Sequence, residues 1–365
     1  MKINVTRSSM PSLKEYEDEI KELWESRWLT NYGKKHNELE NLLKNYLSVN
    51  NLSLFSNGHL ALEYIISSFN FPRGSEIITT PFTFVSTSNA IVRCGLIPVF
   101  CDINKDDFTI DVNKIENLIT DKTVAILPVH VYGLVCDVEA IENIAKKHNL
   151  KVIYDAAHAF GVEYKGKGIA NFGDASMFSF HATKVFHTVE GGAIAYKDEK
   201  LKQYLDCAKD FGITSEEECL YVGGNSKMNE FQAAMGICNL RHIQSYIDDR
   251  KKITELYLER LKGIYGIVFP KRKDDVVSNY AYFPILFDGY KYGRDEIKLL
   301  LEQHGINARK YFYPIVSEFQ AYSQFKLNKT PIAKDVSEKI LCLPIYPDLS
   351  LETVNEICDI ILGIK

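Results

Sequence analysis

The chain of 365 residues is 46% hydrophobic and 25% charged, which is typical of a globular protein and excludes a disordered, collagen-like or disulfide-rich one. Its length is sufficient for roughly two domains with a sizeable buried core. The net charge of -5, with acidic and basic residues interspersed, predicts no nucleic-acid surface, and no run approaches the roughly 18 apolar residues of a membrane span.

The eight cysteines lie far apart and form neither a C-x-x-C pair nor the paired Cys and His spacing of a metal site. We interpret them as small core residues of a protein in a reducing compartment. The N-terminus is charged and lacks the apolar stretch of a secretory signal. Together these features predict a cytoplasmic protein without a bound metal.

Two helical patterns open the chain, one from about Ser12 to Trp24 and one from about Asn37 to Leu47, with a loop at residues 28–33 between them. From there to about residue 200, short β-rich runs alternate with helical ones. The predicted strands are Glu76–Thr80, Ile97–Cys101, Val124–Val129, Val152–Asp155, Ala175–Phe180 and Gly192–Tyr196. Strands separated by crossover helices predict a mainly parallel α/β sheet that is buried on both faces.

The remaining chain has a different set of elements. A long helical region from Asn229 to about Leu261 is followed by a strand-like run at Tyr280–Phe287, a helix at Arg294–His304 and a last helix at Leu351–Leu362. We interpret these elements as a smaller α+β domain, and we place the division between a large domain, residues 1–240, and a small one, residues 241–365. No internal repeat is present, so function has to be argued from particular residues.

Two residues suggest a site at the sheet edge. Asp155 ends an apolar strand, where open α/β sheets bind ligands, although a turn or capping aspartate is the simpler explanation when it is taken alone. Lys184 follows in the run SFHATK, shortly before Gly191 and Gly192. Desolvation there lowers a lysine pKa towards the neutral amine that Schiff-base chemistry needs, whereas an isolated loop lysine is more often a surface residue.

Pyridoxal phosphate (PLP) needs a lysine for its aldehyde, a carboxylate for its ring nitrogen, a phosphate site and a stacking face. Lys184 and Asp155 meet the first two needs. Ser56, Asn57 and Gly58 precede an amphipathic helix, and the free N–H groups near Gly58 and His59 suit a phosphate, with a simple N-cap as an equal alternative. Ser179 offers a hydroxyl to the same phosphate. The sequence therefore contains candidates for the first three needs.

The stacking face comes from the run PFTFVSTSNAI. Phe82 and Phe84 lie two residues apart after the strand at Glu76–Thr80, so we expect one to point into the core and the other to lie on the pyridine ring. His158, three residues after Asp155, reaches the ring or is a buried structural histidine.

Several motifs in this order resemble the DegT/DnrJ/EryC1/StrS family of nucleotide-sugar aminotransferases, a branch of the fold type I PLP enzymes, over nearly the full length. The motifs are SFHATK around Lys184, YDAAHAFG around Asp155, PFTFVSTSNAI around Phe84, PVHVYG at residues 128–133 and GGNSKMNEFQAA at residues 223–234. The resemblance implies a fold type I architecture, with a mainly parallel seven-stranded sheet flanked by helices in the large domain and a smaller α+β C-terminal domain.

The resemblance also implies roles for the ring-binding residues. It makes Lys184 the lysine of the internal Schiff base and Asp155 the partner of the pyridine nitrogen. It puts Phe84 rather than Phe82 on the ring, and His158 beside the ring hydroxyl, where many members have glutamine.

For the phosphate, the resemblance implies binding by Gly58, His59 and Ser179, with His59 contributing mainly its backbone N–H because the family usually has Thr or Ser there. In the family, an asparagine at the position of Asn225 reaches the phosphate of the neighbouring subunit, which implies a homodimer with shared active sites. Residues 189–192 read VEGG where the family pattern is GEGG, and this difference leaves the shape of the loop after the lysine open.

The segments WLTNYG, HATKVFHTVEGG and ARKYFYP are most similar to the subgroup that makes dTDP-4-amino-4,6-dideoxyglucose for surface polysaccharides such as the O-antigen of lipopolysaccharide. The resemblance implies that glutamate converts PLP to pyridoxamine phosphate, which then aminates dTDP-4-keto-6-deoxyglucose, with Lys184 moving the proton. The candidate residues for the sugar nucleotide, for which loop packing is an equal alternative, are Thr30, Asn31, His181, Tyr311 and Tyr313.

Three other functions compete with this one. An aminotransferase for a UDP-linked, GDP-linked or 3-keto sugar fits the same motifs. A PLP-dependent sugar dehydratase of the same fold has a histidine in place of the Schiff-base lysine, and Lys184 argues against it. A non-catalytic binding protein is disfavoured because Lys184, Asp155, Phe84 and Ser179 are all present.

Overall fold

Seven strands form the central sheet of the computed structural model, which describes residues 2–325 and 328–364. In spatial order they are Leu52–Phe55, Gly192–Tyr196, Ala175–Ser179, Lys151–Asp155, Thr123–Leu127, Glu76–Thr79 and Ile97–Phe100. The strand Gly192–Tyr196 is antiparallel to both of its neighbours, and the other pairs are parallel. Six strands therefore share one direction, and their carboxyl ends meet at one edge.

The strands are rich in Ile, Val, Leu and Ala because the sheet is buried on both faces. Ile77 packs in one hydrophobic cluster with the helices Gly58–Ser68, Ser86–Arg93 and Leu201–Ala208. The next residue, Ile78, belongs to a second cluster on the opposite face. The helices that contribute buried residues to the second cluster include Lys34–Leu47, Val138–His148 and Glu230–Leu261. The fold class predicted from the sequence is thus confirmed.

A second unit has its own hydrophobic cluster. Its sheet pairs Phe283–Phe287 with Ile267–Val268 and Ile340–Leu343, and its helices are Arg294–Gln303 and Leu351–Leu362. The end of the helix Glu230–Leu261 packs into the same cluster, through residues such as Tyr257. Because this helix continues through residue 240, the proposed division there falls inside a helix, and the two-domain division remains a proposal.

The other elements are shorter or lie outside these two units. The remaining α-helices are Leu13–Ser26, Val112–Ile115 and Pro331–Lys339. The 3-10 helices are Glu116–Leu118, Val131–Gly133, Ile169–Asn171, Val316–Glu318 and Gln320–Tyr322. The remaining strands are Ile3–Asn4, Glu163–Tyr164, Lys167–Gly168, Ile213–Ser215, Glu218–Cys219, Val276–Val277 and Ile306–Asn307. No helix within residues 2–325 and 328–364 is both long and apolar enough to cross a membrane.

Candidate active site

The carboxyl edge of the sheet brings together residues from distant parts of the sequence. Gly192 is paired with Phe55 on one side and with Ser179 on the other, so the chain that follows Phe55 passes close to Ser179. Asp155, on the next strand, is paired with Met177. The predicted lysine, carboxylate and phosphate residues therefore lie at one edge, as the sequence analysis expected.

Two glycines allow the close approach of Gly58 and Ser179. A Cβ on Gly58 would lie 2.9 Å from the Ser179 Cβ, and a Cβ on Gly192 would lie 2.6 Å from the Gly58 nitrogen. Asn57 caps the helix by accepting a 2.9 Å hydrogen bond from the Leu60 N–H. Any larger residue at either glycine would push these segments apart.

Within the described residues, the N–H groups of Gly58 and His59 have no acceptor. They stand at the N-terminal turn of the eleven-residue helix Gly58–Ser68, where the helix dipole favours an anion. The Ser179 hydroxyl lies next to them and is 3.5 Å from the His181 nitrogen. Two free donors, a hydroxyl and the positive end of a helix together fit a phosphate dianion.

The His59 side chain has partners of its own. Its Nε2 lies 2.8 Å from Oε1 of Glu63, which also pairs with Arg93, and its Nδ1 lies 2.8 Å from the Ser86 Oγ. Since a carboxylate accepts, Nε2 carries a proton and donates it to Glu63, while Nδ1 is hydrogen-bonded to the Ser86 hydroxyl. The backbone N–H is therefore the group of His59 left for a ligand, which agrees with the expected role.

Asp155 is buried and hydrogen-bonded on both oxygens. The Thr87 Oγ1 donates to Oδ2 at 2.7 Å, and the Ala157 N–H donates to Oδ1 at 3.1 Å. Burial raises the pKa of this carboxyl, although the two hydrogen bonds oppose the shift. A buried carboxylate with firm orientation is suited to a cationic partner such as a protonated ring nitrogen.

Lys184 follows a tight turn, in which its N–H donates to the His181 carbonyl at 2.8 Å. Desolvation lowers the pKa of its amine to about 8, while the charge of Asp155 acts in the opposite direction. The Nζ atom lies 3.4 Å from the hydroxyl of Tyr282. About a tenth of the amine is therefore neutral and nucleophilic at pH 7, far more than for an ordinary lysine.

The structure separates the two candidate phenylalanines. Phe82 is 0% exposed and packs edge-on against Phe108, Tyr132 and Phe312, whereas Phe84 is 59% exposed. Phe84 is thus the ring that is free to cover a cofactor, and Phe82 is a core residue.

His158 is buried, and its ring stacks on Phe312 at a centroid distance of 6.0 Å. Burial lowers the pKa of His158 well below its usual value, so the ring is neutral. Its Nδ1 accepts a 3.0 Å hydrogen bond from the Tyr132 N–H, which leaves the proton on Nε2. His158 is therefore packed in the core and also has an Nε2–H to donate. It can be a buried structural histidine and reach the cofactor ring at the same time.

The residues predicted for the sugar nucleotide are less closely assembled. Tyr311 lies 6.0 Å from the Tyr282 ring, centroid to centroid, and is near enough to Lys184 to influence its charge. Tyr313 stacks under the Arg294 guanidinium at 4.5 Å instead. The His181 Nδ1 lies 2.8 Å from the Thr183 hydroxyl. Of these three residues, His181 contacts Lys184 through its backbone carbonyl, and Tyr311 is the one whose side chain acts on the Lys184 amine.

Two further predicted regions lie on exposed loops. Asn31 is in the left-handed region with φ of 59°, and its carbonyl accepts a 3.3 Å hydrogen bond from the Trp28 indole. Thr30 beside it is exposed. Asn225 is exposed and pairs its backbone with Asp210. Among the residues described, none of the three has a recorded hydrogen bond to Lys184, Asp155 or Ser179, so their roles remain predictions.

The sequence analysis missed Thr87 and Tyr282. Thr87 lies three residues after Phe84, at the start of a helix, and the position carried a weak signal because Ser and Thr favour such ends. Tyr282 contacts Lys184 across 98 residues of sequence, and no local pattern indicates such a contact.

These residues fit PLP. Lys184 suits its aldehyde, Asp155 its ring nitrogen, Phe84 its face, His158 its ring hydroxyl, and the group at Gly58, His59 and Ser179 its phosphate. Within the described ranges, no cluster of three or more His, Cys, Asp or Glu residues is placed to hold a metal ion.

Comparisons with known proteins point to the same cofactor. The family model described as "DegT/DnrJ/EryC1/StrS aminotransferase family" matches residues 12–362. A dTDP-4-amino-4,6-dideoxy-D-glucose transaminase of Escherichia coli is 44% identical over 368 residues, covering 99% of this chain and 98% of the relative. Another with the same name, from Shigella dysenteriae, is 41% identical over 365 residues and covers 100% and 99%.

A solved structure is also similar over the whole chain. The Helicobacter pylori aminotransferase PseC, involved in the biosynthesis of pseudoaminic acid, has a TM-score of 0.93 and 30% identity, and the match covers 100% of this chain and 99% of that one. The family resemblance found in the motifs is confirmed by these matches. The chain therefore belongs to the DegT/DnrJ/EryC1/StrS family of aminotransferases, and its cofactor is pyridoxal phosphate.

Proposed function

We propose that this enzyme transfers an amino group from glutamate to C4 of dTDP-4-keto-6-deoxyglucose, producing dTDP-4-amino-4,6-dideoxyglucose for a surface polysaccharide such as O-antigen. The observation that carries the proposal is full-length identity of 44% and 41% to two transaminases named for that product. The geometry at the sheet edge supports the chemistry, because Lys184 and Asp155 lie where a PLP enzyme needs an amine and a carboxylate.

PLP supplies an electron sink that stabilises negative charge at the carbon losing a proton. Asp155 would keep the ring nitrogen protonated, and Thr87 and the Ala157 N–H hold its carboxylate in place. The neutral His158 would donate from Nε2 to the ring hydroxyl oxygen. Gly58, the His59 N–H and Ser179 would hold the phosphate and so fix the reacting carbon relative to Lys184.

Lys184 acts as the base and the acid of each half-reaction. With an amine pKa of about 8, the side chain is present in both protonation states near neutral pH, which suits proton transfer in both directions. In the first half-reaction it would move the proton from the α-carbon of glutamate to the cofactor carbon, and in the second it would move a proton from that carbon to C4 of the sugar. The same group thus serves both substrates in one site.

We further propose a homodimer in which Asn225 of one subunit completes the phosphate site of the other. Support comes from a short hairpin, Ile213–Ser215 with Glu218–Cys219, that carries exposed apolar side chains. These side chains are Phe211, Ile213, Leu220 and Val222. Clustered exposed apolar residues are typical of an interface, and Asn225 lies three residues after Val222.

A cytoplasmic location is also proposed. All eight cysteines are free in the described structure, as a reducing compartment favours. Fractionation of the native host cell, with the enzyme followed by its activity, tests this placement.

A substrate panel tests the reaction. The purified enzyme, loaded with PLP and given glutamate, is offered dTDP-4-keto-6-deoxyglucose, its 3-keto isomer and a UDP-linked 4-keto sugar in turn, and products are analysed by mass spectrometry and NMR. We expect the dTDP-linked 4-keto sugar to be aminated at C4 at least about tenfold faster than the others. Faster turnover of another sugar would refute the substrate, and a failure of glutamate alone to give the pyridoxamine form would refute the donor.

A further inference from the structure

The Lys184 amine forms a hydrogen bond with the side chain of Tyr282. Its hydroxyl lies 3.4 Å from the Lys184 Nζ, and the same amine lies 5.9 Å from the centre of the Tyr282 ring. Asp155, by contrast, influences Lys184 through its charge. The Tyr282 hydroxyl is therefore within hydrogen-bonding reach of the Lys184 amine.

The backbone that carries Tyr282 is held on two sides. The Asn279 side chain donates 2.9 Å hydrogen bonds to the carbonyls of His158 and Phe160, and its Oδ1 accepts from the Ala281 N–H at 3.1 Å. From the other side, the buried Arg250 guanidinium donates to the Ala281 carbonyl at 3.4 Å. Residues 279–282 are therefore tied to the loop that carries His158 and to the long helix.

The ring of Tyr282 is held as firmly as its backbone. Tyr282 is buried, its centroid lies 4.6 Å from that of His158, and it lies 6.0 Å from Tyr311. Together with Thr183, the residues Lys184, His158, Asn279 and Tyr282 line a small pocket beside the amine. The hydroxyl cannot move far without displacing these neighbours.

Tyr282 keeps its own proton while the lysine titrates. Burial raises the pKa of Tyr282, and the pKa of Lys184 is about 8. The phenol oxygen therefore accepts a hydrogen bond from the ammonium group without taking its proton. The proton stays on Lys184, where it can be delivered to the substrate.

We propose that Tyr282 is a positioning residue for Lys184: its hydroxyl receives the amine on release from PLP and holds it within reach of the carbons between which the proton moves. The proposal rests on the proposed role of Lys184 as the Schiff-base lysine. It adds to that role a link to the second structural unit, because Tyr282 directly precedes the strand Phe283–Phe287.

The variant Tyr282→Phe removes only the hydroxyl, and Tyr280→Phe is the matched control because the Tyr280 ring packs against the Arg272 guanidinium at 5.0 Å instead. Apoenzymes are mixed with PLP over a range of pH, and the rate of aldimine formation gives the apparent pKa of the Lys184 amine. We expect about 8 for the wild type and for Tyr280→Phe. Loss of the accepting oxygen should lower this pKa by about half a unit or more in Tyr282→Phe.

The second readout uses α-deuterated glutamate in a single turnover of the PLP-loaded enzymes. Proton transfer should slow about tenfold in Tyr282→Phe, with an increased deuterium isotope effect, and stay within about twofold in Tyr280→Phe. The isotope effect is a ratio, so it does not depend on how much of the variant folds. Wild-type values for both readouts in Tyr282→Phe would overturn the proposal. A wild type that forms no aldimine would overturn the proposed function itself, before any variant is compared.

Discussion

Thr87 donates a 2.7 Å hydrogen bond to the Oδ2 of Asp155, and the Thr83 hydroxyl lies 2.9 Å from that of Thr87. Both threonines are buried next to the exposed Phe84. The segment that provides the stacking ring thus also orients the carboxylate, which links the position of the cofactor ring to the charge on its nitrogen.

Replacing Thr87 with valine keeps the shape of the side chain but leaves Oδ2 of Asp155 without its donor. We expect pyridoxamine phosphate to bind roughly tenfold more weakly. The loss of one hydrogen bond to the buried carboxylate should reduce the binding free energy by about 1.5 kcal/mol. Absorbance or fluorescence titration of the apoenzyme measures the affinity. Thr353→Val, on the C-terminal helix, is the control, and equal affinities for the two variants would count against this role for Thr87.

The two glycines of the phosphate site make a steric prediction. In Gly58→Ala the new Cβ meets Ser179 at 2.9 Å, and in Gly192→Ala it meets the Gly58 nitrogen at 2.6 Å. Each should weaken PLP binding by about tenfold or more, because overpacking costs about 1–3 kcal/mol. In the control Gly293→Ala the nearest contact is 3.4 Å and φ is -70°, so binding should not change. Wild-type affinity for PLP in both site variants would contradict the proposed phosphate site at Gly58, His59 and Ser179.

The lowered pKa of Lys184 predicts a pH-dependent stability of the apoenzyme. Its pKa falls from 10.5 to about 8 on folding, so the unfolded chain binds more protons between these values. The free energy of unfolding therefore rises with pH across that window. Below the window, the folded protein bears the full destabilisation of a buried, protonated amine. Lys184→Met removes this destabilisation, and we expect the variant apoenzyme to be about 3 kcal/mol more stable than the wild type at neutral pH.

Denaturant unfolding at pH 7 and near pH 11 checks this expectation. The advantage of Lys184→Met should largely disappear at the higher pH, while the exposed Lys105→Met should show no such change between the two conditions. If the wild-type apoenzyme and Lys184→Met are equally stable at pH 7, the Lys184 amine is well solvated and the expectation is wrong.

Much of the sheet and its edge could be predicted because parallel strands have a strong local pattern. The six predicted strands are present with ends that differ by at most two residues, and the alternation of strand and helix placed Asp155 and Lys184 at one edge. The strand Leu52–Phe55 was missed because it is only four residues long and includes the buried Ser53. Its pairing with Gly192–Tyr196 is a tertiary contact that no short pattern reports.

Other features depended on three-dimensional packing. Spacing alone left Phe82 and Phe84 equivalent. The family resemblance favoured Phe84, and the packing of Phe82 against Phe108 and Phe312 gives the physical reason. The strand-like run predicted from Tyr280 begins at Phe283, since Tyr280 has φ of 51° and cannot continue a strand. Contacts such as that of Tyr282 with Lys184 join residues far apart in sequence.

The proposed shared site predicts complementation between inactive variants. In a hybrid of Lys184→Ala and Asn225→Ala subunits, one site receives both intact residues and the other receives neither. Co-refolding equal amounts should restore about a quarter of the wild-type activity, since half of the dimers are hybrids with one intact site. Activity no greater than the mean of the two parents would place Asn225 and Lys184 in the same subunit's site, or Asn225 outside it.

Borohydride reduction of the PLP-loaded enzyme, followed by peptide mass spectrometry, tests the Schiff base most directly. The account predicts a yellow enzyme whose aldimine absorbance disappears on reduction, with the pyridoxyl group on Lys184, and no aldimine in Lys184→Ala. A pyridoxyl group on another lysine, such as the buried Lys209, or no label at all, would contradict it.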